Sequence, residues 1–171
     1  MSYGTIYTLP FRSRKEDVCL VEIQKEGYTG RVIELTGSGE APFSVEIADD
    51  DFLYTPVRFS TAAIRVVGGD HLQSLYSTGY RQYRVIFKRA GSVTWCGFIK
   101  PELYTQDYSG TIFELEIECI SAMSVLEYIE YKQKSEEGKG FVTLWELLTR
   151  CVSESRGSYS SVYLPHVYAG S

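Results

Sequence analysis

The 171-residue chain has no basic excess, no paired cysteines and only two histidines, and each shortage removes a class of protein. Lys and Arg number 17 against 22 Asp and Glu, which leaves a net charge of −5. Nucleic-acid binding relies on clustered cations that neutralise phosphates, so nucleic acid is not an expected partner. Cys19, Cys96, Cys119 and Cys151 are widely spaced, with no C-x-x-C pair. His71 and His166 are too few to complete a structural zinc site. Each cysteine sits in an apolar pattern, so buried free thiols are expected, and reduced thiols fit maturation in a cytoplasm. No apolar run approaches the roughly 18–20 residues of a membrane span. The start, MSYGTIYTLPFRSRKED, lacks the basic and apolar regions of a secretory signal. Neither a membrane nor a cleaved signal is expected. Nucleotide loops and nucleophile elbows are absent too, so Gly37-Ser38-Gly39 and Gly68-Gly69 read as turn glycines and no cofactor is expected.

What is present is alternation. Tyr83, Val85 and Phe87 alternate with Gln82, Arg84, Ile86 and Lys88, and Arg89-Ala90-Gly91-Ser92 supplies a turn. Val93–Ile99 follows and stops at Lys100-Pro101. Beyond a Tyr/Asp/Gly-rich link, Phe113, Leu115, Ile117 and Cys119 share one face of a strand and Glu114, Glu116 and Glu118 the other. A side-chain period of two is the mark of a half-buried antiparallel strand. Similar patterns cover Tyr3–Phe11, Val18–Gln24, Arg31–Leu35, Pro42–Ala48 and Ala62–Val67. Turn signals every eight to twelve residues predict a mainly β protein, an antiparallel barrel or sandwich over residues 1–120. Fourteen tyrosines suit such a protein and give it amphipathic surface for contacts.

After Ile120 the pattern changes. Met123, Val125, Leu126 and Ile129 predict a short helix, and Lys132–Gly140 a linker. Phe141, Leu144, Trp145, Leu148 and Val152 then form a helical stripe. The expected helix is Thr143–Ser155, with Thr143 and Glu146 as a capping box and Gly157 at its end. Tyr159–Tyr168 has strand composition and stops at Ala169-Gly170-Ser171. Residues 121–171 are therefore expected to be a helical extension and the start of a further β unit, as in a fragment of a longer protein.

No group of residues assembles nucleophile, base and orienting partner. Asp49-Asp50-Asp51 lacks the alternating ligands and mid-loop glycine of a calcium loop and reads as a solvated turn. Glu114, Glu116 and Glu118 have the spacing of paired carboxylates that work on sugars, but they read as a solvated strand face offset by Arg84 or Lys88. The run Arg81–Arg89 reads as a solvated strand face as well. His71 reads as a helix-start residue and His166 as an exposed loop residue. No catalytic, cofactor or metal residue is predicted, and the expectation is a non-enzyme.

One stretch resembles a known group. Phe52–Tyr131 holds Pro56 before a Ser-containing strand with Ser60, then Trp95, Gly97, Phe98, Ile99, Pro101 and Tyr104 in the order W-x-G-F-I-x-P-x-x-Y. It is similar to tail proteins encoded by Bacteroidetes prophages. Where that group often has a D-G-L segment, this chain reads ISAMSVLEY. The resemblance implies a structural component of a phage tail, the N-terminal part of a baseplate or hub protein. It also implies β-barrel modules joined as a trimer or hexamer with other tail proteins, located in the virion tail and assembled in the bacterial cytoplasm. The alternative expectation, from the tyrosine load and the acidic strand, is a carbohydrate- or ligand-binding β module. Within the motif, Trp95 and Phe98 are expected on opposite strand faces, with Gly97 leaving room for a ring or backbone.

Overall fold

The computed structural model describes residues 2–39, 41–47, 59–69, 78–101, 113–131 and 142–159, together with Leu72 and Leu75. Pro56, Tyr104, Asp49-Asp50-Asp51, His71, His166, Phe141, the expected linker and the expected terminal strand beyond Tyr159 lie outside these residues. The strands are β1 (Tyr3–Arg12), β2 (Val18–Glu26), β3 (Ile33–Glu34), β4 (Thr36–Gly37), β5 (Phe43–Ile47), β6 (Ser60–Gly68), β7 (Tyr83–Arg89), β8 (Ser92–Ile99) and β9 (Phe113–Ser121). A 3₁₀ helix, Met123–Tyr128, and α1, Leu144–Glu154, complete the order.

These strands form one sheet in the order β3-β1-β2-β7-β8-β9-β6-β4, with β5 also on β6. Only Leu35 separates β3 from β4, so the two ends of that order meet. The strap 33–37 pairs with β1 in parallel on one side and with β6 antiparallel on the other. The Leu35 N–H donates to the Thr8 carbonyl at 2.7 Å, and the Ser38 N–H to the Arg65 carbonyl at 3.0 Å. The result is a nearly closed barrel, the mostly-β fold that the alternation predicted. The expected strand Arg31–Leu35 is thus corrected to a two-sided strap that includes Gly37, because barrel closure uses both of its backbone edges.

Alternation fills the interior. Leu9, Val21, Ile23, Ala62, Ile64, Val66, Val85, Ile99, Leu115, Ile117 and Cys119 are buried in one cluster, and Leu72 and Leu75 join it. Ile64, Val66 and Val85 are fully shielded. Each such side chain contributes about 1.5–3 kcal/mol relative to an exposed one. A second cluster lies on the outer face: Ile86, Cys96, Phe98, Ile120, Ala122 and Val125, flanked by Tyr3, Tyr80 and Ile129. Here the strands carry apolar residues on both faces, because the 3₁₀ helix covers the outside.

The β7–β8 hairpin turns on Ala90 and Gly91 alone, at φ +48° and +81°. Two left-handed central residues are what a two-residue hairpin needs to match strand twist. The outer-face charges are paired along the strands. Glu116 takes the Arg65 Nε–H at 2.8 Å and Glu118 lies 3.3 Å from the Lys100 ammonium. Arg84 donates to Gln24, and Lys88 pairs with Glu22. The expected offset of the glutamates by Arg84 or Lys88 is therefore corrected. The strand β8 separates β7 from β9, so those cations serve β2 instead.

Candidate functional site

Helix α1 forms where the capping box was expected. The Thr143 Oγ1 accepts the Glu146 N–H at 3.2 Å, and a Glu146 carboxylate oxygen accepts the Thr143 N–H at 2.8 Å. The Thr143 N–H bond first, and then one from the Thr143 hydroxyl at 2.9 Å, hold the Glu146 carboxyl below its ordinary range. The helix ends at Glu154 with Ser155 as cap, and the left-handed residue after it is Arg156 at φ +50° rather than Gly157. A non-glycine residue in that region costs about 1–2 kcal/mol. The cost is offset by anchoring. The Arg156 guanidinium meets Glu26 at 2.9 Å, and its carbonyl accepts from Arg84 at 3.4 Å. Hydrogen bonding to Tyr3, and then the nearby charge of Glu26, raises the Arg156 pKa. Ser155 is fully buried, and the Ser158 N–H reaches the Cys96 sulfur at 3.4 Å. Arg81 adds a second clasp, to Glu154.

The C-terminal end of the helix is thus fastened to the outside of the barrel, while the described residues leave much of its apolar stripe exposed. Leu144 is 72% exposed, Trp145 55% and Leu148 37%, and no residue of α1 itself is buried. Val142, just before the cap, is 48% exposed. Between α1 and the 3₁₀ helix runs a groove of about 990 Å³, walled by Leu126, Tyr128, Ile129, Tyr131, Leu147 and Cys151. Arg81, Glu130, Arg150 and Glu154 stand at its edge. Tyr80 stacks on Tyr128 with ring centroids 3.7 Å apart, and Arg150 lies over the Tyr131 ring at 5.0 Å. Cys151 is half-exposed at this groove, which corrects the expectation that all four thiols are buried; Cys19, Cys96 and Cys119 are. Burial pushes the Cys96 and Cys119 thiols up.

Of the described motif residues, Ser60, Trp95, Gly97 and Ile99 share the inner face of the barrel. The Trp95 indole N–H donates to the Ser60 hydroxyl at 2.9 Å, and the ring packs against Phe43 with centroids 5.7 Å apart. A Cβ on Gly97 would overlap both the Ile120 carbonyl oxygen and the Trp95 ring. Ile99 is in the interior cluster and Phe98 in the outer one. Pro101 follows the end of β8. None of the described motif residues lines the groove beside α1. Among the described residues there is no group of three His, Cys, Asp or Glu side chains that would hold a metal ion. No helix among them is long and apolar enough to cross a membrane.

What the motif reading missed is the outward face of α1, whose stripe was visible in the sequence but whose exposure was not. No protein-family model, curated protein or solved structure matches the chain. The descriptors phage tail, baseplate, hub, virion and prophage therefore have no support in these comparisons and are withdrawn as terms for this chain. The fold and surface define a coarser class: a nearly closed β barrel with an outward-facing amphipathic helix.

Proposed function

We propose that the chain is a non-enzymatic structural component that works by docking onto other proteins. The observation that carries this reading is α1, capped at its start by Thr143 and Glu146 and fastened at its C-terminal end by hydrogen bonds and ion pairs, yet presenting Leu144, Trp145 and Leu148 to solvent. Contiguous exposed apolar surface on a folded domain marks contact sites, and Trp is among the residues that most often dominate their energetics. A fixed helix also loses little conformational entropy on binding. The test is co-expression with the products of neighbouring genes, followed by co-elution. The expected result is a complex that Trp145→Asp or Leu148→Asp abolishes while leaving the melting temperature unchanged. A complex indifferent to both variants removes α1 from the interface, and no complex with any neighbour removes the reading.

A second reading, a carbohydrate- or ligand-binding module, is favoured by the groove. Its tyrosines offer ring faces, and Arg81, Arg150, Glu130 and Glu154 offer donors and acceptors at the edge. Thermal stabilisation by a soluble glycan, lost in Tyr131→Ala, would move this reading ahead.

A further inference from the structure

Among the described residues one edge of β5 is left without a partner strand, and the backbone there is oriented for one. The Arg65 N–H donates to the Pro42 carbonyl at 2.8 Å, which fixes the phase of the β5–β6 ladder. Antiparallel ladders alternate, so Ser44 and Glu46 aim their N–H and C=O groups at β6. Phe43, Val45 and Ile47 aim theirs away from it. No described strand pairs β5 on that outer side. Val45 is 39% exposed and Ile47 59%.

We propose that β5 pairs antiparallel with β5 of a second copy of this chain, about a two-fold axis at Val45. That register sets Val45 against Val45, Phe43 against Ile47 and Ser44 against Glu46. All three residues with outward backbone groups then meet residues of the same kind, and the ladder is complete. Apolar side chains oppose apolar ones, and each Glu46 meets a hydroxyl. Sliding the centre to Glu46 would set carboxylate against carboxylate, which is unfavourable across a strand pair. The outer edge of β1, by contrast, is guarded. The strap covers β1 at Tyr7 and Thr8, and Pro10 further along β1 has no N–H to offer. β5 carries no such guard beyond Glu46. Isologous pairing of this kind closes at two copies, unlike the trimer or hexamer expected from the resemblance. A five-residue ladder falls short of the roughly 1,200 Å² that stable interfaces bury, so the dimer is concentration-dependent.

Sedimentation equilibrium of the full chain over a wide concentration range tests this pairing. Val45→Pro removes an outward N–H and leaves the bonds to β6 intact, and Ile47→Lys places charge on the edge. The expected result is a wild-type monomer–dimer equilibrium that each variant weakens by about tenfold or more, with an unchanged circular dichroism spectrum. Should Val45→Pro fail to fold, Ile47→Lys alone decides. A wild-type chain that stays monomeric throughout overturns the pairing, as does an oligomer that the folded variants retain. So does a monomer that takes up an extended peptide at β5. The proposal does not rest on the α1 reading. Trp145→Asp is expected to leave this dimer intact, and loss of the dimer in that variant alone would assign self-association to α1.

Discussion

The chain has two tryptophans, and they occupy opposite situations. Trp95 lies within the barrel against Phe43, its indole N–H satisfied by Ser60, with Gly97 shaped to receive the ring. Trp145 stands on a helix whose backbone is as well capped as any, and more than half of its surface is open. Both sit in apolar patterns of the correct period for their element. Period alone thus tells which residues share a face. Whether that face is covered depends on what the rest of the chain brings to it.

The sharpest way to break the comparison is to truncate each ring. Trp95→Ala removes a packed aromatic and strands the Ser60 hydroxyl, and is expected to cost about 3 kcal/mol or more. Trp145→Ala is expected to stay within about 0.5 kcal/mol, as for a surface position. Urea unfolding of both variants decides it. Equal losses would mean that Trp145 is covered in the folded chain.

A smaller effect is expected at the fastening of the helix. Arg156→Ala keeps the unfavourable left-handed backbone and loses the Glu26 pair, whereas Arg156→Gly loses the pair but relieves the backbone. The glycine variant is expected to be the more stable of the two by about 1 kcal/mol. Thermal melts should show that order, and the reverse order would mean that the left-handed backbone at position 156 carries no strain.

The smallest effect is confined to α1. The Glu146 carboxyl has a folded pKa below its unfolded one, so its stabilising contribution is present above the unfolded carboxylate pKa. It is lost as pH falls through the folded value. Helical ellipticity is expected to decline on acidification in the wild type and to lose that component in Glu146→Gln. An identical acid profile in the two chains would show that the capping box does not set the stability of α1.

Although β8 is apolar on both faces from Trp95 to Ile99, much of the barrel was legible because β9 and the inward residues of β2, β6 and β7 repeat with a period of two, which is a local property. The capping box was legible for the same reason, since Thr143 and Glu146 are three residues apart. The strap was not, because Ile33 and Glu34 are exposed and pair with β1, while Thr36 and Gly37 pair with β6. Nothing in five residues announces two distant partners. Strand order was equally hidden, which is why Glu116 and Glu118 were matched to the wrong cations. The segment Met123–Tyr128 is too short for periodicity to separate a 3₁₀ turn from an α-helix. Of the surface features, the α1 stripe was readable as a face, and its exposure was not. The open edge of β5 required the phase of a ladder that only the folded chain reveals.

The strap has a kinetic consequence. The β1–β2 and β7–β8 hairpins join neighbours in the chain, but β2 meets β7 and β6 meets β9 only across long separations. The strap closes shorter loops than these, since Tyr7 pairs with Ile33 and Gly37 with Val66, whereas Val21 pairs with Phe87 and Ile64 with Ile117. Loop-closure entropy therefore lets the strap tie β1 to β6 before the β2–β7 and β6–β9 ladders, which are the late seams. Refolding belongs to the slow class of β topologies, roughly milliseconds to seconds. Until those ladders set, the edges of β2, β6, β7 and β9 stand open, so the interval before they pair is when the chain is most exposed to pairing with the wrong neighbour.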